Sequence, residues 1–389
     1  MLPNNLQQTA AVLAARDQFA ATGLPGAKSE PWIYTRLQEV VVNPAQSAQA
    51  ATSPEAGLIL HFDNGLLVSG DVAWPAGMAM RVFTDADMAD FAAYLPEDHL
   101  LGTLSVGHVT SAIVIEVEAG AQITELLTLR FTANVADQSA HPLIFIKQGA
   151  GSQCRIVEHH ESHAALSAPL IVMDIGAEAV LDHAKMQADT DSTKHLSLTV
   201  MAVAEKADIN SFTTAIGGQL ARHETHMHLN GEHADVALSS IYMARGTQHQ
   251  DMTTRMLHQV PNCTSSQLIR GVLDDTAKGV FQGKVVVARD AQKTDGQQMS
   301  RALLLSRQAE ADAKPELEIY ADDVVCSHGA TVGELDETHL FYLKSRGIEA
   351  DEARMMLIEA FLLDTLETVR LDELRASLTT AIQRWMTGV

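Results

Sequence analysis

Cysteine is scarce in this chain of 389 residues, and the scarcity excludes two ways of stabilising a fold. The three cysteines, Cys154, Cys263 and Cys326, are odd in number, widely spaced and without any CxxC pair. A disulfide framework uses an even set of cysteines, and a structural zinc site uses closely paired thiolates. The sequence therefore predicts a protein of a reducing compartment, and we expect the cytoplasm.

Basic residues and long apolar runs are also in short supply. The chain has 27 Lys and Arg against 49 Asp and Glu, a formal net charge of -22. This balance argues against a nucleic-acid or anionic membrane partner and is compatible with a basic protein or a metal ion. No apolar run approaches the roughly 18 residues of a membrane span, and the starting MLPNNLQQ lacks the charged start and apolar centre of a signal peptide.

Aromatic residues make up only 5% of the sequence, so Val, Ile, Leu, Ala and Met must fill the interior. From about residue 110, short alternating runs such as SAIVIEVEAG, PLIFIKQG and HLSLTVMAVA recur with turns between them. This pattern predicts an all-β region. Small aliphatic residues in repeating layers suit a solenoid, in which each coil buries its face against its neighbours. A sandwich with longer connections fits the pattern as well.

The N-terminal part of the chain has a mixed texture. Residues 5–22 carry apolar residues at helical spacing and end at a glycine, which predicts a first helix. An Ala, Ser and Pro-rich segment at 43–56 and strand-like pieces at 57–62 and 66–69 follow. Residues 1–101 are therefore predicted to form a small mixed, partly helical domain.

The C-terminal part, residues 333–389, returns to helical spacing of its apolar residues and is predicted to be a helical domain. Between residues 334 and 375 there are 11 acidic and 5 basic residues, so the exposed face should attract a basic groove on a partner. An ordinary helical cap closing the end of a solenoid is the other interpretation.

The most informative segment is PELEIYADDVVCSHGATVGELDETHLFYLKSRGI, which begins at Pro315. Its first residues alternate between polar and apolar, which predicts a half-buried strand. Cys326 and His328 lie two residues apart, so an extended backbone would point both side chains to one face. A thiolate and an imidazole on one surface are a soft-metal pair, although a buried thiol beside a solvated imidazole would give the same pattern. Asp336 is placed to cap a following helix.

This segment resembles the SufB/SufD family of iron-sulfur cluster assembly proteins. The resemblance continues upstream through GVLDDTAKGVFQGKVVVARDAQKTDGQQMSRALLLS, residues 271–306, and more weakly in GLPGAKSEPWIYTRL, residues 23–37. The motif CSHGATVG is similar to that of the SufD branch. The resemblance implies a mainly β fold: a right-handed parallel β-helix at 102–332, flanked by a small N-terminal α/β or helical domain and a C-terminal helical domain.

The resemblance also implies a function, that of a non-catalytic scaffold subunit in a SufB-SufC-SufD complex. His328 first, and Cys326 second, would contact a metal or nascent cluster where this β-helix meets that of a SufB-like partner. Full ligation of a cluster normally needs four thiolates or close substitutes, so the iron or cluster would be transient and shared with that partner. Whether reduced flavin binds in the complex stays open.

The helical C-terminal residues would dock the ABC-type ATPase SufC, whose ATP-driven dimerisation would open the joint between the two scaffold subunits. The residues predicted to bind SufC are Leu340, Phe341, Arg346, Met355 and Phe361. ATPase activity is expected in that partner and not in this chain. The isolated chain is expected to pair with itself through its last strands, because an open solenoid end exposes unpaired edges.

Histidines elsewhere give a weaker signal. RHETHMHLNGEHAD contains His-Glu-Thr-His, one residue short of the HExxH of zincins, and its pattern predicts a strand. His226 and His228 would share one face of that strand and are weaker metal candidates, with solvent-facing polar side chains as the preferred interpretation. GVFQGKV has too few residues between its glycines for a phosphate loop and lacks the hydroxyl that binds magnesium. No GxSxG elbow or dinucleotide-binding GxGxxG is present.

A second functional hypothesis comes from another class of protein. Right-handed β-helices also host polysaccharide lyases and hydrolases, which use carboxylates and basic residues along a groove. Asp274, Asp275 and Asp290 with Arg270 and Arg289 are candidates for such a groove. A third hypothesis, simple metal storage, would require several iron or zinc ions bound by the single chain.

Overall fold

Two long β-sheets form the body of the protein in a computed structural model that describes residues 6–26, 28–48, 57–68 and 72–387. The strands are β1 Leu58–Asp63, β2 Leu66–Leu67, β3 Met78–Val82, β4 Ser111–Val117, β5 Gln122–Ala133, β6 Ser139–Ala140, β7 Pro142–Gln148, β8 Gln153–Ser162, β9 Leu166–Ser167, β10 Leu170–Ile175, β11 Val180–Gln187, β12 Lys194–Val203, β13 Asp208–Ala215, β14 Leu220–Leu229, β15 Asp235–Ala244, β16 His249–His258, β17 Thr264–Leu273, β18 Lys278–Val287, β19 Asp295–Leu304, β20 Glu310–Ile319 and β21 Val325–Glu334.

The helices lie toward the two ends of the chain. They are α1 Ala10–Thr22, α2 Asp85–Ala93, α3 Leu100–Gly107, α4 Glu337–Ser345, α5 Ala350–Leu366 and α6 Asp372–Thr387, with 3-10 turns at Leu6–Gln8 and Glu30–Trp32. Among the described residues, the helices are all too short or too polar to cross a membrane.

The two sheets are built from alternate strands of the chain. Sheet A has the order β20-β18-β16-β14-β12-β10-β7-β4-β3, and sheet B has the order β2-β1-β5-β8-β11-β13-β15-β17-β19-β21. From β4 to β21 these neighbours pair in parallel, so each coil of roughly 30 residues contributes one strand to each sheet. The prediction of a parallel β-solenoid between helical flanks is confirmed. The sandwich alternative is wrong, because consecutive coils stack in parallel register.

Apolar residues from both sheets meet between them in a buried core that extends from Leu58 to Ala321. We call this space the lumen. The coils turn at residues with positive φ, for example Glu178 and Lys206, whose backbone N–H groups donate to carbonyls of the next coil. Glycine is required just before some of these turns, because a Cβ at Gly176 would lie 2.7 Å from the backbone nitrogen of the preceding coil.

The strands of the N-terminal part extend both sheets. β1 pairs in parallel with β5, and β3 pairs antiparallel with β4. The predicted first helix is confirmed as α1, capped by Thr9 and ended by Gly23. Helices α1 to α3 bury their apolar side chains on the outer face of sheet A, against residues such as Phe145. The predicted helix start at residue 5, residues 49–56 of the Ala, Ser and Pro-rich segment and position 69 of the second strand-like piece lie outside the described residues.

The C-terminal helices lie along the solenoid and do not close its end. Ile358 of α5 and Leu378 of α6 pack on the outer face of sheet B, whose apolar side chains run from Val157 in β8 to Leu303 in β19. Helix α4, capped by Asp336 as predicted, buries none of its residues. The interpretation of this region as a cap over the solenoid end is therefore wrong, and the domain boundaries at 101 and 333 stay predictions.

Candidate functional site

The open end of the solenoid carries Cys326 and His328 on β21, opposite Gly296 and Gln298 of β19. A Cβ at Gly296 would lie 3.4 Å from the Sγ of Cys326 and 3.6 Å from Val285 in sheet A, so the thiol faces the lumen. His328 is two residues further along the same strand and therefore lies on the same face. Cys326 is half-buried against the core, whereas His328 is exposed.

The chemistry of this pair is incomplete within one chain. Burial raises the pKa of the Cys326 thiol, and a backbone hydrogen bond from Gly296 only partly opposes this. The thiol is therefore protonated at neutral pH until a metal ion or a cation stabilises the thiolate. The amide of Gln298, buried in the layer beneath His328, has no hydrogen-bond partner among the described residues. One thiol and one imidazole supply half of the ligands that an iron-sulfur cluster normally requires.

The backbone around this pair is free to bind another chain. β20 and β21 are the terminal strands of sheets A and B, and within the described residues neither pairs along its outer edge. The apolar side chains of Ile319, Val325 and Val332 are exposed there. Unpaired N–H and C=O groups beside exposed apolar side chains form an edge that another β-structure can extend.

The residues predicted to bind an ATPase partner divide into two groups. Phe341 is 73% exposed on α4, next to a half-buried Leu340, and Arg346 at the end of that helix is exposed. Met355 and Phe361 of α5 are half-buried, and Phe361 packs with the outer face of sheet B and lies 5.0 Å from the guanidinium of a buried arginine in β17. Helix α4 is thus the more accessible surface.

A second cluster lies on the outer face of sheet A, where His226 is buried and only 4% exposed. The expectation that it faces solvent is wrong, because residues of the N-terminal part cover this face. Nε2 of His226 lies 3.5 Å from Oε2 of Glu224, and the same oxygen lies 2.9 Å from Nε2 of His99. His228 is half-buried and outside this cluster. Glu224 was not among the residues predicted to bind a metal, although its spacing of two from His226 puts both on one face.

Arg222, fully buried, organises the surroundings of this cluster. Its Nε donates to Oε1 of Glu224 at 2.7 Å, its Nη1 donates to Asp251 at 2.6 Å, and its guanidinium lies 4.0 Å from the ring centre of Trp32. Burial acts to raise the pKa of Glu224, but the charge of Arg222 outweighs it and holds that pKa well below its usual range. Burial lowers the pKa of His226. The cluster thus presents a carboxylate beside a neutral imidazole.

Polar residues also lie inside the lumen, where the sequence pattern did not predict them. Glu158 is fully buried and lies 2.8 Å from the Nε2 atoms of both His160 and His183, with the amine of Lys185 at 3.5 Å. Burial lowers the pKa of His160 to about 4. These residues lie on the same face of their strands as the apolar residues of the lumen. Alternation alone does not show that both faces of the sheet are covered, so the burial of these polar groups could not be inferred from it.

The residues proposed for a polysaccharide-cleaving groove are separated in the structure. Arg270 is buried beneath α5, where it donates to Asp364. Asp274 and Asp275 lie in the turn before β18, whereas Arg289 and Asp290 lie in the turn after it. A strand of this length spans roughly 30 Å, so the two turns cannot line one groove. The hypothesis of a lyase or hydrolase at these residues is wrong.

Two sequence motifs have structural roles. The His-Glu-Thr-His segment lies in strand β14, as predicted, and cannot place imidazoles one helical turn apart. Within GVFQGKV, Gly279 and Gly283 lie inside β18, where a Cβ would collide with Tyr242 and Gln298 respectively. These glycines therefore permit close packing inside the solenoid and do not form a phosphate loop.

Comparison with known proteins gives a consistent result. Residues 131–361 match the family profile described as SUF system FeS cluster assembly, SufBD core domain. The iron-sulfur cluster assembly protein SufD of Escherichia coli (strain K12) is 32% identical over 95% of this chain and 91% of its own length. A SufBD family iron-sulfur cluster assembly protein of Synechocystis sp. is 28% identical over 94% of this chain and 88% of its own. The chloroplastic protein ABCI7 of Arabidopsis thaliana is 25% identical over 93% and 82% respectively.

Proposed function

Because the chain belongs to the SufBD family of iron-sulfur cluster assembly proteins, we propose that it is a non-catalytic scaffold subunit on which clusters are assembled in the cytoplasm. The observation that carries this proposal is the position of Cys326 and His328, side by side on the last strand of an uncovered solenoid end. At such an end, a second polypeptide can supply the ligands that this pair lacks.

The partner that fits is a SufB-like subunit with its own β-solenoid. Its terminal strands would extend β20 and β21, and its cysteine and carboxylate side chains would complete the coordination of iron or of a growing cluster. His328 is the exposed ligand of the pair, so it contacts the cargo first. Cys326 joins once iron or a cation stabilises its thiolate. In the absence of such a partner, a second copy of this chain would occupy the same edge as a homodimer.

The ATPase partner, a SufC-like subunit, would bind α4 through Phe341 and its neighbours. Helix α4 follows β21 directly, after a link of two residues, Leu335 and Asp336. Movement of α4 on ATP-driven dimerisation of the partner would therefore pull on the strand that carries the ligand pair. This geometry supports a role in opening the joint between the two scaffold subunits.

Association through the solenoid end can be tested with one substitution and a matched control. Val332 in β21 is 48% exposed, and Val82 in β3, at the opposite end of sheet A, is 46% exposed. We expect Val332→Lys to abolish co-purification of this chain with a SufB-like subunit, because a charge would be buried at the joint. Val82→Lys should leave the complex intact. Equal co-purification of both variants, measured by size-exclusion chromatography with light scattering, would refute docking at this end.

A further inference from the structure

His99, Glu224 and His226 come together from distant parts of the chain on the outer face of sheet A. Glu224 and His226 lie on β14, while His99 is the residue at the N-cap position of α3. One potential ligand atom from each residue lies within 4.8 Å of the others. The cluster is far in the fold from β21, separated from it by several coils, and the scaffold role makes no use of it.

The distances fit a metal centre. Bonds from zinc to imidazole nitrogen or carboxylate oxygen are about 2.0–2.2 Å, so ligands at 90–110° from one another lie about 3–3.5 Å apart. Oε2 of Glu224 lies 2.9 Å from His99 Nε2 and 3.5 Å from His226 Nε2. The second oxygen, Oε1, accepts from Arg222, which fixes the carboxylate as an outer-shell partner does in metal sites.

The surrounding charges also leave room for a cation. Arg222 is the partner of two carboxylates, Glu224 and Asp251, so these three groups together carry one negative charge in excess. Arg255 pairs in register with His226 and lines the same cavity of about 240 Å³. Its positive charge would oppose a bare cation, and it would favour a hydroxide or another small anion in the open coordination position.

We propose that His99, Glu224 and His226 bind one divalent first-row transition-metal ion that joins the N-terminal part to the solenoid. Two imidazoles and one carboxylate with an open position are a ligand set for Zn²⁺ or Fe²⁺, whereas Mg²⁺ and Ca²⁺ prefer oxygen ligands. The ion would bridge α3 and β14, two elements that are distant in sequence. Its removal would loosen α3 from sheet A without changing the ligand pair at the solenoid end.

Titration of the full, chelator-treated chain with Co²⁺ tests this proposal, because the visible spectrum of Co²⁺ reports its ligands. We expect one equivalent to bind with a nitrogen and oxygen spectrum that lacks a thiolate charge-transfer band, and Zn²⁺ to displace it. His99→Ala should weaken binding by more than the roughly 100-fold upper limit typical for loss of an outer-shell partner. The matched control is His228→Ala, on the same strand and face. It should bind as the wild type does.

Thermal unfolding gives a second readout. A ligand that binds only the folded state raises the midpoint, so Zn²⁺ should raise that of the wild type and of His228→Ala but not that of His99→Ala. His99 has a partly exposed side chain, and circular dichroism will show that its variant folds; His226→Gln is the alternative variant. Three results would overturn the proposal. They are failure of Co²⁺ to bind at submillimolar concentration, equal loss of Co²⁺ binding in His99→Ala and His228→Ala, and a thiolate band that vanishes in Cys326→Ser. None of these results depends on cluster assembly.

Discussion

Replacement of Arg222 by methionine tests how the N-terminal part is held on the solenoid. The substitution keeps much of the side-chain volume but removes the charge between Glu224 and Asp251 and the cation over Trp32. Removing one partner of a buried ion pair typically costs about 3–5 kcal/mol, because the remaining charge stays buried and unpaired. Here two carboxylates lose their partner, so we expect Arg222→Met to lower the free energy of unfolding by an amount in the upper part of that range.

A matched control separates burial from ion pairing. Arg370 also pairs with two carboxylates, 2.7 Å from Asp208 and 3.7 Å from Asp182, but its side chain is 40% exposed. Exposed pairs of this kind contribute about 0–1 kcal/mol, so Arg370→Met should be nearly neutral. The two substitutions are chemically identical and differ mainly in the solvent around the pair.

The stability difference between the wild type and Arg222→Met should depend on pH. In the wild type the pKa of Glu224 is lowered in spite of burial, mainly by Arg222, so this group stabilises the fold above the usual carboxyl pKa and loses that contribution as pH falls through its folded-state value. In Arg222→Met burial meets less opposition and the pKa of Glu224 rises. Protonation then favours the folded state, so the stability gap to the wild type should shrink between about pH 7 and pH 4.

Hydrogen exchange is the suitable assay, because a solenoid can open coil by coil and a single unfolding free energy does not describe it. In Arg222→Met the opening free energy of the amides of β14 and β16 should fall by about 3–5 kcal/mol. In Arg370→Met these amides should keep their protection. Equal protection in the two variants, or a gap that widens as pH falls, would refute the account of this network.

The remaining predictions concern the solenoid end. Phe341→Asp should abolish binding of a SufC-like ATPase without lowering the unfolding midpoint. The control, Ile33→Asp at an exposed position of the N-terminal part, should change neither the binding nor the midpoint. Pull-down with purified ATPase measures the binding. Burial raises the pKa of Cys326, so its alkylation by iodoacetamide should be slow at pH 7.5 and accelerate above about pH 9, while Cys154, whose pKa burial raises to about 12, should stay unmodified. Mass spectrometry checks both thiols, and rapid alkylation of Cys326 at pH 7.5 would show that another group stabilises its thiolate.

Local periodicity was sufficient to predict much of the solenoid end. Alternation along 315–320 placed β20, and the spacing of two put Cys326 and His328 on one face, because a strand repeats every two residues. The position of the C-terminal helices could not be obtained in this way. Both faces of sheet B are apolar, with Phe212 and Val272 on the outer one, and only the folded structure shows that helices cover that face.

The cluster of His99, Glu224 and His226 lay beyond the reach of sequence patterns for a different reason. His99 and Glu224 are 125 residues apart, and nothing local to either predicts their contact. Polar residues in the lumen, such as Glu158, were equally hidden, because alternation alone does not distinguish a solvated face from a second buried one.

The most direct test of the scaffold account is the iron and acid-labile sulfide content of the complex purified with its SufB-like and SufC-like partners. His328→Ala should leave the complex assembled and strongly reduce both iron and sulfide, since His328 is exposed and its loss creates no cavity. The control, His163→Ala directly after β8, also removes an exposed imidazole and should retain wild-type content. Unchanged iron and sulfide in His328→Ala would contradict the claim that this end of the solenoid contacts the cluster.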